Sequence, residues 1–118
     1  MNISGGVTLS ALRAFGTKMG VAGHNIANME TEGFKKSRAV LKEGQTGVIE
    51  VEIEKIESEG PMALTVGKNG EVMETELSNV DLTEEIPQLQ IAQRGYEANT
   101  KTLITQEEMM GTVIDILG

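Results

Sequence analysis

Cysteine is absent from this chain of 118 residues. That removes disulfides, thiol nucleophiles and cysteine-based zinc sites together, and it suits any compartment, including an oxidising one. Tryptophan is absent too, with one Tyr and two Phe. Rings that fill a globular core are therefore scarce, and the apolar content rests on Ile, Val, Leu, Ala and seven Met. Such a set suits helix seams better than a β-sandwich core. No run of eighteen apolar residues occurs, so no direct membrane insertion is expected. The opening "MNISGGVTLSALRAFG" lacks the basic start and apolar stretch of a signal peptide, so no cleaved leader is expected.

The same scarcity bears on chemistry. His24 is the lone histidine and has only Glu30 and Glu32 nearby, which makes a polar turn residue a better reading than a metal ligand. Glu84-Glu85 and Glu107-Glu108 lack a nucleophile or oxyanion donors beside them and read as solvated helix faces. "GKNGE" lacks the spacing and hydroxyl residue of a phosphate loop and reads as a hairpin tip. The basic run Lys35–Lys42 holds no aromatic interleaving and sits in a chain of net charge −8, which argues against nucleic acid. No catalysis, cofactor or metal ion is expected.

What is present is strongly patterned. Residues 1–42 carry a net charge of +4, residues 43–86 a net of −10 and residues 87–118 a net of −2. The asymmetry fits head-to-tail complementarity between copies, or a solvated acidic middle. A single domain is expected, and a compact fold of this length would have a radius of gyration of roughly 13–14 Å.

The first segment reads as a helix over 5–27, capped by Ser4. Leu12, Met19 and Ile26 recur every seven residues, with Leu9, Phe15 and Ala22 between them. Ala11, Ala14, Gly16, Gly20 and Gly23 keep its surface thin, and helix-interior glycines cost up to about 1 kcal/mol each relative to Ala. Such a helix needs packing partners.

The middle reads as β, with strands expected within 47–76. Ile49, Val51 and Ile53 alternate with Glu50, Glu52 and Glu54. Asn69-Gly70 marks a hairpin and Gly60-Pro61 a second turn. The last segment carries a heptad stripe through Leu82, Ile86, Leu89, Gln93, Tyr96, Thr100, Leu103, Glu107, Met110, Ile114 and Leu117. A continuous helix of this length would be a rod of roughly 54 Å, too long to hide its stripe within one small subunit. Pro87 is expected to kink that helix or to mark its true start, giving a helix over roughly 87–117.

The fold class expected is thus mainly α with a small β module: two long amphipathic, coiled-coil-type helices flank a short β-hairpin region. The divisions are 1–33, a helix and Asn-rich elbow; 34–77, an acidic β module; and 78–118, the heptad helix. The expected assembly interface is Leu12, Met19, Ile26, Leu89, Tyr96, Leu103, Met110, Ile114 and Leu117.

"SALRAF" followed by "MGVAGHNIANMETEGFKKSRAV" resembles the N-terminal signature of the flagellar basal-body rod and hook axial proteins. The residues that match are Ser10, Leu12, Asn25, Ile26, Ala27, Asn28, Thr31, Gly33, Phe34 and Lys35. His24 departs from the pattern, standing where an Asn is usual. "SNVDLTEEIPQLQIAQRGYEAN" and "EEMMGTVIDIL" resemble the closing helix of the same family through Ser78, Asn79, Val80, Asp81, Leu82, Glu85, Gln93, Arg94, Tyr96, Asn99 and Met109. Pro87 is the second departure. The short middle is most similar to the proximal-rod members.

The resemblance implies a structural subunit of the flagellar rod whose terminal helices pair into an axial tube. Its implied partners are further copies, other rod and hook axial proteins and the flagellar export apparatus. Its implied location is the periplasm-spanning basal body, reached without a cleaved leader. A soluble coiled-coil adaptor or chaperone-like protein is the alternative. The resemblance also implies that the elbow carries the chain outward. Asn25 and Asn28 are expected to satisfy the groups orphaned where the helix ends and to tolerate left-handed φ, Gly33 to allow a reversal, and Phe34 to anchor the exit strand against a neighbour. Lys35, Lys36, Arg38 and Lys42 are expected to meet acidic surfaces, including those of a next subunit.

Overall fold

In the computed structural model, the backbone is described for residues 2–117 and side chains for residues 5–116. The elements run α1 (Asn2–Ala27), β1 (Ser37–Glu43), β2 (Ile49–Lys55), β3 (Met62–Val66), β4 (Val72–Glu76) and α2 (Leu82–Leu117). Two long helices flanking two small hairpins is the fold class expected from the change of period. The expected cap Ser4 falls inside α1, which already begins at Asn2.

The helices pack antiparallel. Asn25 of α1 meets Glu85 of α2, and the ring of Tyr96 lies 3.9 Å from the position a Cβ would take at Gly16. Nearer the other end of α1, Leu9 shares a groove with Leu103. On another side of α1, Ser10 Oγ accepts the amide of Ile49 at 3.0 Å and donates to the Val7 carbonyl at 2.7 Å. α1 is thereby sandwiched between α2 and the β1–β2 hairpin. Its thinness makes this possible. Among the described residues the buried apolar side chains are Ala11, Ala14, Ala22, Ala39 and Ala92, all alanines. Small residues let backbones approach where larger ones would hold the elements apart.

β1 and β2 pair antiparallel with Ala39 opposite Ile53 and Lys42 opposite Glu50. Here the structure differs from the sequence reading, which started the strands at residue 47. β1 begins at Ser37, because its cations Arg38 and Lys42 alternate with Ser37, Ala39 and Leu41 and lie on the same sheet face as Glu50, Glu52 and Glu54. β3 and β4 form a separate two-stranded sheet, with Leu64 opposite Glu74. Both hairpin loops use one device. The Gly47 amide donates to the Gly44 carbonyl at 3.3 Å and the Gly70 amide to the Gly67 carbonyl at 3.0 Å. Gly47 and Gly70 then take φ of +79° and +77°, the arrangement of a type I turn closed by a left-handed glycine. Asn69 stays at negative φ, since no non-glycine residue described adopts positive φ.

α2 starts at Leu82, five residues ahead of the expected start at Pro87. Asp81 is the reason. Its carboxylate accepts the Thr83 amide at 3.0 Å and the Thr83 hydroxyl at 2.7 Å, and its carbonyl accepts the amides of Glu84 and Glu85. Pro87 lies past the first turn, where it removes the amide that would bond the Thr83 carbonyl, and the helix nevertheless runs through it. The molecule measures 81 × 24 × 20 Å with a radius of gyration of 21.1 Å, far above the roughly 13–14 Å of a compact chain. It is a rod.

Glycine positions separate by what a methyl would meet. A Cβ on Gly95 would lie 2.5 Å from the Phe15 ring, whereas one on Gly20 would meet nothing within 4 Å. Gly95→Ala is expected to destabilise the fold by about 1–2 kcal/mol, overpacking outweighing the gain in helix propensity. Gly20→Ala is expected to stabilise it by about 0.5–1 kcal/mol. Urea unfolding followed by circular dichroism reads both, and equal shifts would refute the packing of Phe15 on Gly95.

Candidate functional site

The elbow after α1 is held by two asparagines that read one short stretch of backbone. Asn25, fully buried, accepts the Ser37 amide on Oδ1 at 3.0 Å and donates from Nδ2 to the Ser37 carbonyl at 2.8 Å. Asn79 accepts the adjacent Lys36 amide on Oδ1 at 2.7 Å and donates to the carbonyls of Ile56 and Ser58 at 2.8 and 2.9 Å. Its own amide reaches the Phe34 carbonyl at 3.2 Å. Only a side-chain amide offers a donor and an acceptor close enough to pair with both groups of one residue. The two asparagines thus tie α1, the exit strand, the end of β2 and the approach to α2 at one point.

Beneath them lies a buried carboxylate. Glu85 is 0% exposed. Its Oε2 accepts Asn25 Nδ2 at 3.1 Å, and its Oε1 accepts Arg38 Nη2 at 3.1 Å. Glu84, beside it, pairs with Lys36 at 2.8 Å and with Arg38 at 3.4 Å. Lys35 pairs with Glu76, which also accepts the Gly60 amide at 3.1 Å, and Lys42 pairs with Glu52. The basic segment therefore meets acidic partners within its own chain, where the sequence reading also looked to the next subunit.

The remaining elbow residues divide similarly. Asn28 donates its side-chain amide to the His24 carbonyl at 2.9 Å, a group that its own backbone amide also reaches at 3.2 Å, so it reinforces the end of α1 rather than satisfying an orphaned carbonyl. Asn25 does something else, and its role could be found only by seeing which backbone it faces. Gly33 reverses the chain at φ +70°. Phe34 packs edge-on against His24 of the same chain, with ring centroids 5.6 Å apart. Thr31 bonds Asn28 at 3.2 Å, Ala27 is exposed and Ile26 half-buried. Past Asn79, Val80 is half-buried and Leu82 exposed.

The heptad stripe read from the sequence is not the seam between the helices. α2 turns Glu85, Ala92, Gly95, Asn99, Leu103 and Gln106 inward, all buried or half-buried, while Ile86, Gln93, Glu107 and Ile114 are exposed. α1 buries Thr8, Ala11, Ala14, Ala22 and Asn25, with Leu12, Met19 and Ile26 half-buried. The seam selects small and polar residues because the elements are close, and the larger residues stand at its edges. Leu89 and Leu103 are half-buried, Tyr96 and Met110 are exposed, and the side chain of Leu117 lies outside the described residues. Gln93 and Arg94 are exposed, and Asn99 bonds the Gly95 carbonyl within the helix at 2.8 Å. Glu85 and Arg38, absent from the expected interface, are the central ion pair. Glu85, read from the sequence with Glu84 as a solvated helix face, is instead fully buried, and nothing local distinguishes it from its exposed neighbour.

Two predictions follow from the clamp's chemistry. Arg38→Met leaves Glu85 buried with Asn25 alone and is expected to cost about 3–5 kcal/mol in urea unfolding, whereas Arg38→Met combined with Glu85→Leu should recover most of that loss. A double variant no better than the single would show that the pair is not what the buried site requires. The second concerns acid. Hydrogen bonds from Lys35 and then Gly60 hold the Glu76 carboxyl below its ordinary 4.5, and those from the Thr83 hydroxyl and amide hold Asp81 below 3.8. Because the folded values are lowered, the stability they add is present above the ordinary values and is lost as pH falls through the lowered ones. The amide resonances of Gly60 and Thr83 should titrate with midpoints below 4.5 and 3.8 respectively; midpoints at the ordinary values would remove these bonds from the account.

Comparison with known proteins meets this same geometry. Residues 7–35 match the family model for the flagella basal body rod protein, and residues 74–116 match that for the C-terminal region of the flagellar basal body rod FlgEFG proteins. The chain is 39% identical over 41 residues to the flagellar basal-body rod protein FlgG of Bacillus subtilis, covering 35% of this chain and 16% of that one. It is also 39% identical over 41 residues to the flagellar hook protein FlgE of Escherichia coli, covering 35% of this chain and 10% of that protein. With FlgE of Treponema pallidum the identity is 30% over 96 residues, 78% of this chain and 20% of the relative. The chain thus spans a tenth to a fifth of the length of these relatives. Since the two matched regions are the two helices and the asparagine clamp that joins them, the chain belongs to the flagellar rod and hook axial protein family.

Proposed function

We propose that this chain is a structural subunit of the flagellar basal-body rod, assembling through its paired terminal helices with further copies and with other axial proteins. One observation carries the reading. α2 outruns α1, and its far end presents Met109, Val113, Ile114 and Ile116 at 64, 54, 63 and 78% exposure. An apolar groove of about 650 Å³ opens there, lined by Gly5, Gly6 and Leu9 of α1 and by Leu103, Met110 and Ile114 of α2. An amphipathic stripe that its own chain leaves bare is an association surface. No helix described is long and apolar enough to cross a membrane, and in this reading the stripe's counterpart is another axial subunit. Export to the growing structure by the flagellar export apparatus completes the reading.

Leu103 is unsuited to testing this surface, since it is half-buried within the chain. Ile114 lines the same groove but is 63% exposed. Ile114→Asp is expected to shift monomer stability by no more than about 0.5 kcal/mol yet to be missing from purified basal bodies, with motility lost. Glu97→Gln, away from the stripe, should be incorporated. Equal incorporation of both, scored by mass spectrometry, would overturn the assembly reading; retention of the unaltered chain in the cytoplasm would favour a soluble adaptor.

A further inference from the structure

The β3–β4 hairpin touches neither helix nor the other hairpin. Its base is nonetheless fixed. The Leu77 amide donates to the Pro61 carbonyl at 2.7 Å, the Gly33 amide to the Glu76 carbonyl at 2.9 Å, and Glu76 takes both Lys35 and the Gly60 amide. Gly60 leaves no room for a side chain, since its Cβ would sit 2.1 Å from the Leu77 carbonyl oxygen. The hairpin is therefore an arm mounted in a set direction. α2 accounts for about 54 Å of the molecule's length, and the long axis is 81 Å. β1–β2 lies alongside α1, so the extra length belongs to the arm, which projects past the elbow end.

One face of the arm is apolar and bare. Register places Met62, Leu64, Val66 and Val72 together, at 56, 71, 72 and 67% exposure, with Glu74 among them. A two-stranded ribbon with nothing packed on it is marginal in water, so a rigid base with an uncovered apolar face calls for an external partner. The outward flank of α2 has the matching character. Ile91 is 51% exposed, Ala98 lies two turns further on the same side, and Arg94 and Lys101 border them. Among the described residues neither cation forms an ion pair, and neither does Glu74. The lengths agree as well: a five-residue strand spans about 16 Å and Ile91 to Lys101 about 15 Å of helix.

We propose that the arm of one copy docks on the outward flank of α2 in a second copy, with Leu64 and Val72 over Ile91 and Ala98 and with Glu74 against Arg94 and Lys101. This rests on the assembly reading above and adds to it a second contact, remote from the α2 end stripe. Arm and flank are different patches, so where the exchange is not reciprocal the contact runs head-to-tail and builds a ring or an open array. The charge pair sets the register of one copy on the next.

The chain's lack of cysteine makes the test direct. Leu64→Cys and Ala98→Cys, both at exposed positions, are purified as full chains, mixed at assembling concentration and mildly oxidised. A disulfide joining the two different variants is expected, and in its absence the docking is overturned. Assembly without that link sinks the arm contact and leaves the assembly reading standing. A link joining two Leu64→Cys chains would replace it with an arm-to-arm contact, and failure to assemble at any concentration overturns both readings. In parallel, Glu74→Arg should raise the assembly threshold about tenfold or more through like-charge contact. Adding Arg94→Glu and Lys101→Glu should restore it; no rescue would mean these charges do not meet.

Discussion

A buried side-chain amide cannot be left unpaired, and in this molecule Asn25 meets that constraint by binding both backbone groups of Ser37 and one oxygen of Glu85. The rest of the architecture depends on it. The bond to Ser37 starts β1 at a defined residue, so every later pairing in the β1–β2 ladder inherits its register. The bond to Glu85 fixes where α2 lies along α1. Arg38, one residue past Ser37, then supplies the cation that a buried carboxylate requires. One amide thus sets a strand register and a helix stagger together.

The seam between the helices follows the same economy. A core of alanines contributes little apolar area per residue, so this chain draws less on hydrophobic burial than a globular domain of its length. What compensates is close approach and directed polar bonds. Its large apolar residues stand outside: on the end of α2, along the arm and at the seam's edges. In the proposed assembly, these are the surfaces that neighbouring copies cover.

The acidic middle also takes on a role. Its net charge of −10 over residues 43–86 is not a uniform solvated face. Glu52, Glu76, Glu84 and Glu85 neutralise the basic exit strand, and Asp81 caps α2. Glu57 pairs with Lys55, while Glu74 forms no ion pair among the described residues and is the carboxylate that the proposed arm contact uses.

Much of this was legible along the chain. The shift in apolar period from helical to alternating and back located two helices and a β module, and Asn69-Gly70 located the tip of the second hairpin, because these are local properties of backbone sterics and side-chain spacing. The start of α2 was misplaced because Pro87 is a visible local signal, whereas Asp81 gains its weight from geometry around it. β1 was overlooked because a basic strand announces itself only beside its acidic partner. The heptad stripe was visible, but which of its sides faces α1 was not: the preference for Ala92 and Gly95 over Gln93 and Tyr96 arises from how near another backbone comes. Glu85 was one acid among eighteen until the fold enclosed it. Periodicity, composition and turns belong to the sequence itself; burial, stagger and the choice of partner are relations between distant residues, and only the tertiary structure brings those residues together.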